Sequence, residues 1–199
     1  MPKETFYNLP ESKQTAVFKA AVQEFSTQKY SDASINQIVK SAGIPRGSFY
    51  QYFNDKADVF VFILEKISAQ IKAVEQKNAV DDSDCDALTQ FAKKLASTIE
   101  LNGSNPEYVR ITIMQSKETD PFVKKFFELQ EEHKQAVINL FEQDKKRGLI
   151  REDVDAAAVI DMVYLLSKEA FYAMGSDGNA YQKRMEIYLK IIREGIRRS

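Results

Sequence analysis

Between Ser34 and Lys56 the chain sets three serines, two asparagines, an arginine, two tyrosines and two lysines around the short sequence Ala42-Gly43-Ile44. These side chains donate hydrogen bonds or carry positive charge, which suits recognition of a polyanion with readable edges. On duplex DNA, phosphate contacts position a protein and base contacts specify the site. Arg46 is the natural base reader, because a guanidinium donates two parallel bonds to guanine O6 and N7. Gly47 lets backbone approach a groove closely, and Ser48 suits a base edge or a phosphate. Ser34 places a hydroxyl at a helix start, where backbone N–H groups and the helix dipole favour an anion. Asn36 could reach a base, and Lys56 is expected at the phosphate backbone.

The elements that must carry these groups are short helices. Phe18, Ala21, Val22 and Phe25 repeat at helical spacing and predict a helix over Glu11–Thr27. Ser34 and Gln37 stand at capping-box spacing at the start of a second helix, with Ile35, Ile38 and Val39 turned inward. Gly43 ends it, since a positive φ costs glycine little. A third helix, about Pro45–Phe53, is anchored by Phe49 and Phe53 and leaves Arg46, Gly47, Ser48, Tyr50 and Tyr52 outward. Two helices joined by a tight turn, the second polar outside, form a helix-turn-helix. Residues 1–10 are expected as a loose arm pinned by Phe6, Tyr7 and Leu9.

Beyond residue 54 the pattern stays helical. Apolar stripes predict helices over 55–77, 85–100, 121–146, 155–174 and 178–197, with another beginning at Pro106. Residues 78–84 form an acidic break, Asn102–Asn105 a loop, and Gly148 a stop. Seven glycines and five prolines in 199 residues favour long helices over many strands, so the expected class is all-α with about nine helices. A helix-turn-helix domain with its arm over 1–54 and a second domain over 55–199 are expected. The helix over 155–174 is apolar nearly all round, and a twofold contact through it and the last helix would cover both. The residues expected in that homodimer face are Val159, Met162, Val163, Leu166, Met185, Tyr188, Leu189 and Ile192.

Formal charge is −1 overall, but residues 1–56 hold seven Lys/Arg against five Asp/Glu, and the rest hold 21 against 24. The sign agrees with nucleic-acid contact near the N-terminus. One cysteine, Cys85, excludes an intrachain disulfide or a cysteine metal cluster, and neither a metal nor a cofactor is expected. The apolar run Val59–Leu64 is too short for a bilayer, so no membrane partner is expected and the cytoplasm is the expected location. The only histidine, His133, sits in a charged stretch, and no Ser/His/Asp set, HExxH or phosphate-cradling glycine loop occurs, so no enzyme is expected.

With the turn placed, the segment from about Gln14 to Leu64 resembles the DNA-binding domain of the TetR family of bacterial transcription regulators. Ala21, Phe25, Tyr30, Ser34-Ile35-Asn36-Gln37-Ile38, Ala42-Gly43-Ile44, Arg46-Gly47-Ser48-Phe49-Tyr50-Gln51-Tyr52-Phe53 and Lys56 carry the likeness. The family often has serine where this chain has Pro45, which removes one side-chain contact. The resemblance implies that Tyr50 meets DNA and Tyr52 meets phosphate. It also implies a C-terminal dimerisation and ligand-binding domain, with a cavity among the helices between residues 55 and 174. Aromatic and sulfur side chains suit an apolar cavity, and the candidates are Phe91, Tyr108, Met114, Phe126, Tyr164 and Tyr172, with Glu169 for a cationic ligand. The expected function is a ligand-responsive regulator, a repressor released from a pseudo-palindromic double-stranded operator by a small hydrophobic or amphipathic effector. The alternative is a nucleoid-associated, structural DNA-binding protein without an effector.

Overall fold

The computed structural model describes residues 1–77, 87–174 and 177–197. Among them the chain forms ten helices: α1 (Glu4–Tyr7), α2 (Glu11–Thr27), α3 (Ile35–Ala42), α4 (Arg46–Tyr52), α5 (Lys56–Lys77), α6 (Ala87–Ser104), α7 (Pro106–Gln115), α8 (Pro121–Lys146), α9 (Ala156–Met174) and α10 (Gly178–Ile196). The described residues hold no strand, only an isolated antiparallel bridge between Ile150 and Arg197. The chain is therefore all-α, as its breakers and apolar stripes predict.

Two elements differ from expectation. Residues 4–7 fold into the short helix α1 rather than a loose arm, because Phe6 is driven into the core. The loop expected at Asn102–Asn105 is nearly absent: α6 runs through Gly103 to Ser104, and Asn105 Nδ2 donates to Leu101 O at 2.9 Å. One interior glycine costs a helix only about 1 kcal/mol, and the break waits for Pro106. The expected helix start at Cys85 and the acidic break at 78–84 lie outside the described residues.

The chain divides into two compact units, with the first boundary inside α5. The first unit is residues 1–70 together with 107–126, so it is larger than the segment 1–54 and takes in α7 and the start of α8. Its core is aromatic. Phe6, Phe25, Phe49, Phe53 and Phe60 are fully buried with Ile38 and Ile63. Phe6 meets Phe53 and Phe62 with ring centroids 5.0 Å away from each, and Phe25 meets Phe60 at 5.0 Å.

The second unit is residues 71–106 and 127–199. Its core gathers Phe141, Ile150, Val159, Val163, Ile192 and Ile196, and Met185 is buried as well. Val159, Val163, Met185 and Ile192, expected at a face for a second copy, are buried within the protomer. Leu166 and Leu189 pack against that core half-buried. Tyr188 is half-buried and donates its hydroxyl to Glu169 Oε2 at 2.7 Å. Met162 stays exposed. So do Leu165, at 66% of its surface, and Ile191, at 61%, along with Ile187.

Candidate nucleic-acid interface

The turn between α3 and α4 is built by backbone geometry. Gly43 has φ 66° and ψ 31°, the left-handed region that glycine adopts without steric cost. Its N–H donates to Lys40 O at 3.3 Å, and the Ile44 N–H donates to Val39 O at 3.1 Å. This paired arrangement satisfies two orphan carbonyls of α3 and turns the chain sharply. Pro45 follows in extended conformation, ψ 143°, and α4 begins at Arg46.

The capping box expected at Ser34 and Gln37 does not form. The Ser34 N–H donates to Glu24 Oε1 at 2.8 Å, while Gln37 Nε2 faces Ser41 Oγ at 3.5 Å. Glu24 is a buried carboxylate on α2 and reaches the amide first. The Ser34 hydroxyl makes no capping bond within the protein, so the group expected at phosphate is not consumed as a cap.

Around α4 the exposures follow the helix. Arg46, Gly47, Tyr50 and Gln51 face solvent, Ser48 and Tyr52 are half-buried, and Phe49 is fully buried with Phe53, which follows the helix. One face therefore holds the helix while the opposite face presents a guanidinium, a bare backbone position and a phenol. No heavy atom lies within 4 Å of where a Cβ on Gly47 would stand, apart from its neighbours and the helix's own backbone. On α3, Asn36 and Gln37 are exposed beside them.

Lys56 is placed otherwise. Its Nζ donates to Ser31 O at 3.1 Å and Ala33 O at 3.0 Å, and it lies 4.8 Å from the Tyr30 ring centroid. An ammonium has three donors, so one remains for a phosphate while two tie the α2–α3 loop to the start of α5.

That loop is held from a second direction by residues the sequence reading did not single out. Gln115, 1% exposed at the end of α7, accepts from the Tyr30 N–H at 2.7 Å. Its Nε2 donates to Phe25 O and Gln28 O, each at 2.9 Å. Glu118 Oε2 accepts from both the N–H and the hydroxyl of Ser31 at 2.8 Å, and Oε1 accepts from the Thr119 and Asp120 N–H groups. Such partners lie 85 or more positions away in the chain and leave no periodic signal.

The Ser31 amide, with the Ser31 hydroxyl and the Thr119 and Asp120 amides, holds the Glu118 carboxyl down to about 2, against the opposing effect of partial burial. Its ordinary value is 4.5, so the folded state prefers the anion. Glu118 accordingly contributes stability that is fully present above about pH 4.5 and is lost as pH falls toward 2. Urea unfolding of the wild type and Glu118→Gln should differ clearly at pH 6, with the gap narrowing progressively below pH 4.5. A gap that stayed constant down to pH 3 would contradict the assignment.

The six ligand candidates are divided between the two units. Tyr108, Met114 and Phe126 belong to the first and Phe91, Tyr164 and Tyr172 to the second. Tyr108 is buried, bonds Gln70 Oε1 through its hydroxyl at 3.0 Å, and packs its ring against Phe18. Met114 is half-buried, and Phe126 lies in α8. Phe91 packs against the second unit's core beside Phe141. Tyr164 and Tyr172 are exposed in the protomer, and Glu169 holds Tyr188.

Two helices set by a left-handed glycine, the second bearing outward arginine and tyrosine over a phenylalanine anchor, define a helix-turn-helix DNA-binding module. Residues 17–61 match the family model described as bacterial regulatory proteins, tetR family. Over this segment the chain is similar to the DNA-binding part of TetR-family transcriptional regulators. It is similar over 165 residues to the HTH-type transcriptional repressor SCO4008 of Streptomyces coelicolor, at 24% identity, covering 83% of this chain and 80% of that one. In fold it resembles a TetR family transcriptional regulator from Chloroflexus aurantiacus, with a TM-score of 0.76, 24% identity and full coverage of both chains. It also resembles FadR from Bacillus subtilis in complex with stearoyl-CoA, with a TM-score of 0.70 and 17% identity, over 92% of this chain and 99% of that one. The relatives are regulators of transcription, not enzymes. Among the described residues no helix is long and apolar enough to cross a membrane.

Proposed function

We propose that the protein is a cytoplasmic homodimeric repressor whose α4 helices read successive major grooves of a pseudo-palindromic operator, and which a small hydrophobic or amphipathic effector releases. The observation that carries this is the outward set Arg46, Gly47 and Tyr50 on a helix whose other face is locked by Phe49. Arg46 supplies bidentate base contacts, and Ser48 bonds a base edge or phosphate. Ser34, Tyr52 and the free donor of Lys56 take phosphates, with Asn36 and Tyr50 at the groove.

A single head of so little net charge binds weakly, and pairing multiplies its contacts. The surface that suits pairing is the exposed stripe of Met162, Leu165 and Tyr172 on α9 with Ile187 and Ile191 on α10. Water-exposed aliphatic side chains concentrated on two packed helices are the composition of a homodimer core. This stripe takes the place of the buried Val159, Val163, Met185 and Ile192. The two half-sites would lie about one helical turn, ~34 Å, apart.

Release follows from population shift: an effector frees the operator only by favouring a state in which the two heads no longer match successive grooves. The likeness in fold to FadR, which was found with stearoyl-CoA, makes acyl chains the first effector class to assay.

Selection of duplexes from a random pool tests the reading. The expected product is an inverted repeat bound by a dimer. Recovery of unrelated sequences without a repeat would favour the structural, effector-free DNA-binding role. Leu165→Glu should convert the dimer to monomer in sedimentation velocity and weaken the selected duplex about tenfold, because twofold symmetry sets two like charges into one apolar contact. An unchanged dimer would place the interface elsewhere.

A further inference from the structure

The C-terminal end of α4 is closed by residues that neither the family match nor the helix-turn-helix pattern includes. A helix leaves its last four carbonyls without intrahelical partners. In α4 the Phe49 carbonyl receives the Phe53 N–H at 2.8 Å. The next three receive donors from the segment before α2. Lys3 Nζ donates to Tyr50 O at 2.8 Å, Thr5 Oγ1 donates to Gln51 O, and the Lys3 N–H donates to Tyr52 O at 2.7 Å. Phe6, fully buried, fixes this segment against Tyr52, Phe53 and Phe62.

The geometry points to Lys3 and Thr5 as positioning residues for DNA reading: they set the pitch and rotation of α4, and so where Arg46 and Tyr50 meet base edges. Seven residues are too few to hold a helix by propensity alone. The anchor Phe49 fixes one face, but without the carbonyl bonds the last turn can fray and Tyr50 loses its direction. The Lys3 ammonium also sits where the helix dipole is negative, which favours it there. Lys3 and Thr5 both have exposed side chains, so they can be altered without opening the core. Non-specific attraction depends on charge near phosphates and should depend little on the pose of α4. Discrimination between sequences should depend on it strongly.

This role presupposes the DNA-reading function proposed above, and the experiment separates the two. The wild type, Lys3→Met, Thr5→Val and Thr5→Ser are titrated against the duplex that the wild type selects from a random pool, and against a scrambled duplex of equal length. If the wild type selects nothing, the DNA-reading function itself fails. If it does, Thr5→Val and Lys3→Met should each weaken the selected duplex about tenfold while moving the scrambled duplex less than about threefold. Thr5→Ser, which keeps the donor, should restore wild-type discrimination. Amide exchange over residues 46–53 should quicken in Thr5→Val while α2 stays protected, which separates loss of pose from general unfolding. Equal weakening on both duplexes, or discrimination kept in Thr5→Val, would overturn the proposal.

Discussion

Gln115→Ala should destabilise the first unit by about 3 kcal/mol, more than an ordinary surface or helix substitution. The side chain is buried and serves three backbone groups at once, the Tyr30 N–H and the Phe25 and Gln28 carbonyls. A buried polar group left without a partner costs roughly 1–3 kcal/mol, and here two are left, the Tyr30 N–H and the Phe25 carbonyl, while the part-buried Gln28 carbonyl can turn to water. Gln115→Glu sharpens the test because the volume hardly changes. It would set a carboxylate oxygen against two carbonyl oxygens where an amide now donates. That variant should be at least as unstable as Gln115→Ala at pH 7 and should recover as the pH falls and the acid protonates. Urea denaturation at pH 7 and pH 4 reads both effects. A loss below about 0.5 kcal/mol in Gln115→Ala would mean that water replaces the amide without cost and that the brace is incidental.

The same brace explains which parts of the molecule were legible in the sequence. Helices α2 through α5 were visible because their determinants are local: apolar residues at 3–4 spacing, a glycine in the left-handed region, and a proline ahead of the reading helix. The outward set on α4 follows from the same local geometry, with Phe49 and Phe53 as the anchored face. What holds the loop before α3 was not visible. Glu24 takes the Ser34 amide that Gln37 was expected to take, and Gln115 and Glu118 reach Tyr30 and Ser31 across the fold. Polar side chains that satisfy distant backbone groups have no period and no spacing. The same limit applied to α9 and α10. Their apolar content was plain, but which residues face inward depended on packing, and Val159 and Met185 went to the core while Leu165 and Ile191 stayed outside.

Arg46→Ala should weaken the selected operator by about 1–3 kcal/mol for each half-site, and both half-sites of a dimer lose the contact. Arg46 is exposed on the first turn of α4, so its removal leaves the phenylalanine anchor and the fold intact. A guanidinium aimed at a base edge contributes differently from one near phosphate. Loss of a base contact relaxes preference at one base pair, whereas loss of a phosphate contact lowers affinity for all sequences alike and reduces the salt slope by about one. The two cases are therefore distinguishable in a single set of titrations.

That set is the most direct test of the claim that α4 reads DNA sequence. The wild type and Arg46→Ala are titrated against the selected duplex and against every single-base-pair variant of one half-site, at two salt concentrations. The account predicts that one base pair, a strong determinant for the wild type, becomes nearly neutral for Arg46→Ala while the other positions keep their ranking. A uniform weakening across all variants, with a shallower salt slope, would contradict it and make Arg46 a phosphate contact.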